Sequence, residues 1–197
     1  MSDLAVTGIY CYTEAVLEAV HAIQPSARGE FEISEAHQYL IDHGYRVSFS
    51  EAVGWWKDTG KAEDLLEANR TVLDSLFTKT SPDVRGEVDA VSDIAGKVLI
   101  EPGAKIIESQ VRGPAIIGTN ALVQQCFMGS YTSLGARCIV RNSEVEYSII
   151  CPGTQILDAY VRIERSLLGN AVTIRRCLNR PTTQKFVIGD QSLIELA

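Results

Sequence analysis

Five stretches of this chain line up with one another, and no other feature restricts the possible folds as tightly. They are Ile100-Glu101-Pro102-Gly103-Ala104, Ile117-Gly118-Thr119-Asn120-Ala121, Leu134-Gly135-Ala136-Arg137-Cys138, Ile150-Cys151-Pro152-Gly153-Thr154 and Leu168-Gly169-Asn170-Ala171-Val172. Their lead residues are separated by 17, 17, 16 and 18 positions. Within each period aliphatic residues return every five to seven positions, as in Ile100, Ile106, Val111, Ile117, Val123, Met128 and Leu134. A supersecondary unit of this length cannot bury its apolar side alone, so such repeats stack. Three short strands per period make one turn of a triangular prism, with each aliphatic pointing inward onto the one a turn below. The small residue four places after each lead fits a tight corner, and glycine is expected to supply the turn dihedrals. No pattern of 3.6-residue period fits residues 94–175. A β-sandwich with chance spacing is the competing reading. The near-equal intervals favour a left-handed β-helix of hexapeptides over residues 85–197, with Lys185-Phe186-Val187-Ile188-Gly189 adding a last strand or closing the open end.

Residues 1–80 read differently. Leu4 to Tyr12 is rich in β-branched and aromatic residues and is expected to be a strand. A helix follows, capped by Thr13, with Val16, Leu17, Val20 and Ile23 at helical spacing. Pro25-Ser26-Ala27-Arg28-Gly29 breaks it. Ser34 is placed to cap a second helix that Gly44 stops. Tyr45 to Val53 reads as strand again, and a long helix is expected over 61–77, ended by Ser81-Pro82-Asp83. Two or three strands cannot bury both faces of a sheet or protect its edges. The segment therefore reads as the trailing part of a larger α/β domain.

Little chemistry announces itself. The three histidines, His21, His37 and His43, sit on the expected helices or at a helix end, and the repeat region contains none. Hexapeptide acyltransferases generally use a histidine base, so acyl transfer is disfavoured. No G-x-S-x-G elbow, P-loop or G-x-G-x-x-G is present. Four of the five cysteines (126, 138, 151, 177) take coil positions where a small buried hydrophobe fits. They are not spaced for zinc, and a reduced cytoplasmic compartment is the simplest setting. Asp58, in Trp56-Lys57-Asp58-Thr59-Gly60, is the sharpest candidate. A carboxylate between a strand and a helix can hold a hard cation over phosphate oxygens. Spacing alone favours the plainer reading, that Asp58 or Thr59 caps the helix.

Several segments together resemble the glucose-1-phosphate thymidylyltransferases, a family of sugar-nucleotide pyrophosphorylases. They are Ala5 to Tyr12, Gln24-Pro25-Ser26-Ala27-Arg28-Gly29-Glu30-Phe31-Glu32-Ile33, Gly54 to Gly60, and Asp64-Leu65-Leu66-Glu67-Ala68-Asn69. The β-helix that follows is similar to the long form of that family, found in deoxysugar biosynthesis. The resemblance implies that residues 1–80 are the C-terminal part of a Rossmann-like nucleotidyltransferase domain. It implies dTTP and glucose 1-phosphate as substrates of the parent enzyme, and Mg2+ as cofactor. Residue by residue, it makes Asp58 the second metal-binding aspartate and Val6 a backbone contact to the sugar phosphate. The family's G-x-G-T-R-L loop and first metal aspartate are absent, so the chain is expected to be inactive alone and to need the missing N-terminal segment. Where the family usually has Thr-Asp after Glu-Ile, Ser34-Glu35 stands here. A non-catalytic β-helix module for oligomerisation or regulation is the other reading. A homo-oligomer is expected.

Composition removes other partners. Asp and Glu number 25 against 18 Lys and Arg, a formal charge of −7. An acidic chain with scattered bases has no footprint for nucleic acid or anionic lipid. With 46% hydrophobic and 22% charged residues, wholesale disorder is excluded. No apolar run is long enough to span a bilayer, and no signal peptide is visible.

Overall fold

The computed structural model describes residues 6–77, 80–177 and 192–195. The chain falls into two compact units, Met1–Asp58 and Thr59–Ala197. The segment Lys185 to Gly189, expected to close the β-helix, lies outside the described residues.

The second unit is a parallel solenoid with three faces, the architecture of a left-handed β-helix. Its first face stacks the strands Asp83–Val84, Val98–Ile100, Ala115–Ile117, Thr132–Leu134, Ile149–Ile150 and Leu167–Leu168. The second face stacks six more, from Glu87–Val88 through Lys105–Ile107, Leu122–Gln124, Ile139–Arg141 and Gln155–Leu157 to Thr173–Arg175. The third carries five, from Asp93–Ala95 to Arg162–Glu164. All pairings are parallel and join equivalent positions of adjacent coils: Ile100 pairs with Ile117, and Ser133 with Ile149. The register follows from the repeat. A slip of one residue would turn every inward side chain outward.

The inward set is the one the spacing indicates. Ile100, Ile106, Val111, Ile117, Val123, Met128, Leu134, Val140, Val145 and Ile150 are at most 1% exposed. The small residues Ala104, Ala121, Cys138 and Thr154 are buried beside them. At about 1.5–3 kcal/mol for each fully buried aliphatic side chain, this continuous column is the main source of stability. Leu168 and Ile163, in the last coil, are only partly buried against it. Among the cysteines, Cys126 and Cys138 are buried, Cys151 is half-buried, and Cys177 is exposed, contrary to its expected core position. The coil it would pack into ends at Arg175 among the described strands.

The corners work differently from the expectation that glycine supplies their dihedrals. The left-handed residue is the third after each lead: Gly103, Asn120, Arg137, Gly153 and Ala171. Only two of these five are glycine. Gly118 and Gly135 serve close approach instead. A Cβ on Gly118 would meet the backbone carbon of Gly135 at 2.7 Å, and one on Gly135 would meet Pro152 N at 2.7 Å.

Polar ladders also run up the prism. Ser109 Oγ donates to Ile107 O at 2.7 Å and accepts the Cys126 N–H at 3.0 Å. Ser92 accepts the Ser109 N–H in the same way at 3.0 Å, and Ser143 Oγ donates to Arg141 O at 2.9 Å. Ser92, Ser109, Cys126 and Ser143 thus occupy one position in successive coils, the last three buried and Ser92 half-buried, and each hydroxyl or thiol satisfies corner backbone that would otherwise lack a partner.

Helix α3, Ala62–Leu76, belongs to the same unit. It buries Leu66 and Leu73, seven apart, with Asn69 between them on the same side. The Asn69 amide donates to Tyr131 O at 3.0 Å, and Ser133 Oγ donates to its carbonyl oxygen at 2.6 Å. Tyr131 also donates its hydroxyl to Asp74 at 3.2 Å, and Arg70 lies over its ring.

In the first unit, helices α1 (Ala15–Ala22) and α2 (Ile33–Asp42) pack through Ala19, Ala36 and Leu40. Neither starts with a side-chain cap: Glu14 and Glu32 hold the N-cap positions, and Ser34 lies one residue inside α2. Gly44, at φ +80°, closes α2 as expected, with Tyr45 N–H bonded to Leu40 O at 2.9 Å. The two expected strands do not form: residues 6–12 and 45–53 lack strand structure. A strand exists through the partner that accepts its hydrogen bonds, and the described residues of this unit supply none.

Candidate functional site

The residues singled out in the sequence lie in the first unit. Val6 is in irregular chain and is 66% exposed. Asp58 is exposed, in the irregular segment before α3. It is not the helix cap: Lys61 holds that position, and no side chain caps α3. Among the described residues Asp58 makes no hydrogen bond or ion pair, and no group of three or more His, Cys, Asp or Glu side chains is placed to hold a metal ion. A single carboxylate offers at most two of about six oxygens that a Mg2+ ion takes. The described residues therefore do not by themselves fit a Mg2+ site.

The same segments expose many large apolar side chains. Ile9, Tyr10 and Tyr12 precede α1, and Tyr45, Val47, Phe49, Val53, Trp55 and Trp56 follow α2. Two irregular stretches rich in exposed aromatic and β-branched residues have the composition of buried strands without their surroundings.

The Pro-Ser-x-Arg-Gly-Glu motif builds a turn rather than a reactive centre. Gly29, at φ +78°, donates to Ser26 O at 2.8 Å, and Ser26 N–H reaches Glu30 O at 2.7 Å. Arg28 and Ser26 converge on one oxygen of Glu32, at 2.5 Å from Arg28 Nη2 and 3.1 Å from Ser26 Oγ. These bonds, Arg28 first, hold the Glu32 carboxyl below its usual range.

The histidines are accounted for by packing. His21 and His43 contact the carbonyls of Leu17 and Tyr39, at 2.6 and 2.8 Å, within their own helical turns. His37 meets the Tyr12 hydroxyl at 2.6 Å and completes an aromatic cluster with Tyr10 and Tyr12. Burial, and then Tyr10, push the Tyr12 hydroxyl up. This cluster escaped the sequence reading; its only trace is a tyrosine pair two apart, in irregular chain, that faces a residue on α2. Burial raises the Cys126 and Cys138 thiols, which keeps them protonated and poor nucleophiles at neutral pH.

Known proteins share this arrangement of segments. Residues 1–75 match the nucleotidyl transferase family. A glucose-1-phosphate thymidylyltransferase of Streptomyces antibioticus is 42% identical over 195 residues, 99% of this chain and 53% of that protein. Another, from Streptomyces griseus, is 43% identical over 196 residues, 100% of this chain and 54% of that protein. The chain resembles the C-terminal part of the glucose-1-phosphate thymidylyltransferases. A low-salt glycan biosynthesis nucleotidyltransferase of Haloferax volcanii is 35% identical over 198 residues, 99% of this chain and 54% of that protein. The chain thus spans about half the length of the curated relatives it matches. No helix among the described residues is long and apolar enough to cross a membrane.

Proposed function

We propose that this chain is the C-terminal portion of a glucose-1-phosphate thymidylyltransferase and has no turnover by itself. The similarity over 99% of the chain to the Streptomyces enzyme carries the reading. In the parent reaction an oxygen of glucose 1-phosphate attacks the α-phosphorus of dTTP. The bond to the β-phosphate bridging oxygen breaks, and pyrophosphate leaves as dTDP-glucose forms. Such transfer rests on positioning and on electrostatic stabilisation of the phosphoryl oxygens. Residues 1–80 contribute part of the nucleotidyltransferase domain, with Val6 lining the sugar phosphate through its backbone. Asp58 supplies one carboxylate toward the cation, read as Mg2+. The opposite wall of the pocket and the other metal ligands are assigned to the half of the parent enzyme that this chain does not span. The solenoid, whose described strands run from Asp83 to Arg175, follows this part, and the intact enzyme is read as a cytoplasmic homo-oligomer.

A second reading, a non-catalytic solenoid module, is supported by the complete apolar column of the β-helix, which depends on no residue of the first unit. Pyrophosphate release separates the two. Purified chain with dTTP, glucose 1-phosphate and Mg2+ is expected to release none above background. Adding a separately expressed N-terminal part of a thymidylyltransferase is expected to restore turnover, and Asp58→Ala to abolish it. Turnover by the chain alone, lost in Asp58→Ala, overturns the need for a second part. Failure of every complementing part leaves the module reading.

A further inference from the structure

The second face of the solenoid ends in a hollow of about 450 Å3 lined by Arg141, Leu157, Asp158, Tyr160, Arg175 and Arg176. Parallel register sets Arg141, Leu157 and Arg175 one above another, so an aliphatic floor lies between two guanidinium groups. The lower pair is internally balanced. Arg141 grips Asp158 with two bonds, Nε to Oδ1 at 3.0 Å and Nη2 to Oδ2 at 2.6 Å, and Asn142 adds a third at 2.7 Å. Arg175 and Arg176 have no carboxylate partner among the described residues. Arg176 lies over the ring of Tyr160 at 5.9 Å, and that ring is 62% exposed. Three arginines face one aspartate here, on a chain whose overall formal charge is −7. Local positive surplus on an acidic protein is not explained by solubility, which a chain of this net charge already has.

Guanidinium forks match phosphate oxygens bidentately, and two adjacent unpaired forks suit a doubly charged group. Leu157 and Tyr160 give the hollow an apolar side that a bare inorganic ion would leave unused. Its volume lies in the range of small-molecule sites, about 300–1,000 Å3. We propose that this hollow binds a small phosphorylated organic anion, with the phosphate on Arg175 and Arg176 and a ring or apolar body against Tyr160 and Leu157. The site belongs to the solenoid unit alone and does not rest on the thymidylyltransferase reading.

Isothermal titration of the full chain with phenyl phosphate, inorganic phosphate and phenol tests it. Phenyl phosphate is expected to bind saturably, inorganic phosphate more weakly, and phenol not at all. The double variant Arg175→Ala/Arg176→Ala is expected to weaken phenyl phosphate at least about tenfold. Tyr160→Ala is expected to weaken phenyl phosphate and leave inorganic phosphate unchanged. Asp58→Ala is expected to change neither. All four side chains are exposed, and far-UV circular dichroism checks that each variant keeps its fold. No saturable binding up to about 10 mM overturns the proposal. So does binding unaffected by the arginine pair, or binding equal for inorganic phosphate and phenyl phosphate and indifferent to Tyr160, which marks an adventitious ion only. Binding lost in Asp58→Ala and kept in the arginine variant places the ligand in the other unit and overturns it too.

Discussion

Arg137 is an L-residue held at φ +58°, at a corner position where two other coils use glycine. The left-handed conformation costs an L-residue about 1–2 kcal/mol, and glycine gives back about 0.5–1 kcal/mol through its looser unfolded chain. Arg137→Gly is therefore expected to stabilise the fold by up to about 1 kcal/mol, read as a higher urea midpoint with unchanged slope. Gly118→Ala is expected to do the opposite. Its Cβ would press on the backbone of the next coil, which cannot move aside as a side chain can, so a loss of about 2 kcal/mol or more is expected. Asp158 sets a pH dependence. Arg141, and then Asn142, hold its carboxyl at about 2 against an ordinary 3.8. A carboxyl depressed by folding lends its full stabilisation above the unfolded value and loses it as pH falls through the folded one. Denaturant midpoints at pH 5 and pH 2.5 should therefore drop further in the wild type than in Asp158→Asn. The lead aliphatics and the small residue of each corner could be read from the sequence. Which corner residue turns left-handed could not, since Gly118 and Gly135 look like turn glycines until the next coil is placed against them.

At the scale of the element, the coil is indifferent to local propensity and dependent on its neighbours. Strands of two or three residues have no stability of their own. Each exists because equivalent residues stand above and below. Ile117→Asp or Leu134→Asp would bury an unpaired carboxylate in the column, at a cost of several kcal/mol. Loss of the cooperative thermal transition is expected, and an unchanged Tm would mean the register is wrong. Helix α3 depends on the solenoid in a different way. Its length and its amphipathic face are plain in the sequence, yet what that face covers is not. Asn69 links α3 to two residues of one coil, Tyr131 and Ser133. Asn69→Ala is expected to cost about 1–3 kcal/mol of docking, because two hydrogen bonds to half-buried groups, the Ser133 hydroxyl and the Tyr131 carbonyl, are lost. Faster hydrogen exchange confined to residues 62–76 would be the readout.

Across the whole molecule, stability is divided unevenly. The solenoid has a continuous buried column, whereas among the described residues the first unit buries Ala19, Ala36 and Leu40 alone, between two helices. Limited proteolysis is expected to cut first within residues 45–60 and to leave a resistant fragment that keeps α3. A resistant fragment starting at 85–95 instead would show that α3 is released from the coils before cleavage. The candidate site shares the fate of the weaker unit. Asp58 and Val6 stand in irregular, exposed chain, and complementing this unit with further strands is what would order both.

The sequence by itself determined the solenoid: its period, its inward column and its parallel register. A fold built from one repeated contact writes that contact into the chain many times. It also determined the likeness to the thymidylyltransferases, which rests on ordered motifs rather than on any single residue. Only the tertiary structure decided what depends on a non-repeating neighbour. It decided that Val6 to Tyr12 and Tyr45 to Val53 remain without strand pairing, because the hydrogen bonds that make a strand belong to a partner. It placed α3 on the solenoid through Asn69. It also gathered Leu157, Tyr160, Arg175 and Arg176 around one hollow, since residues 18 apart in the chain become adjacent only when one coil lies on the next.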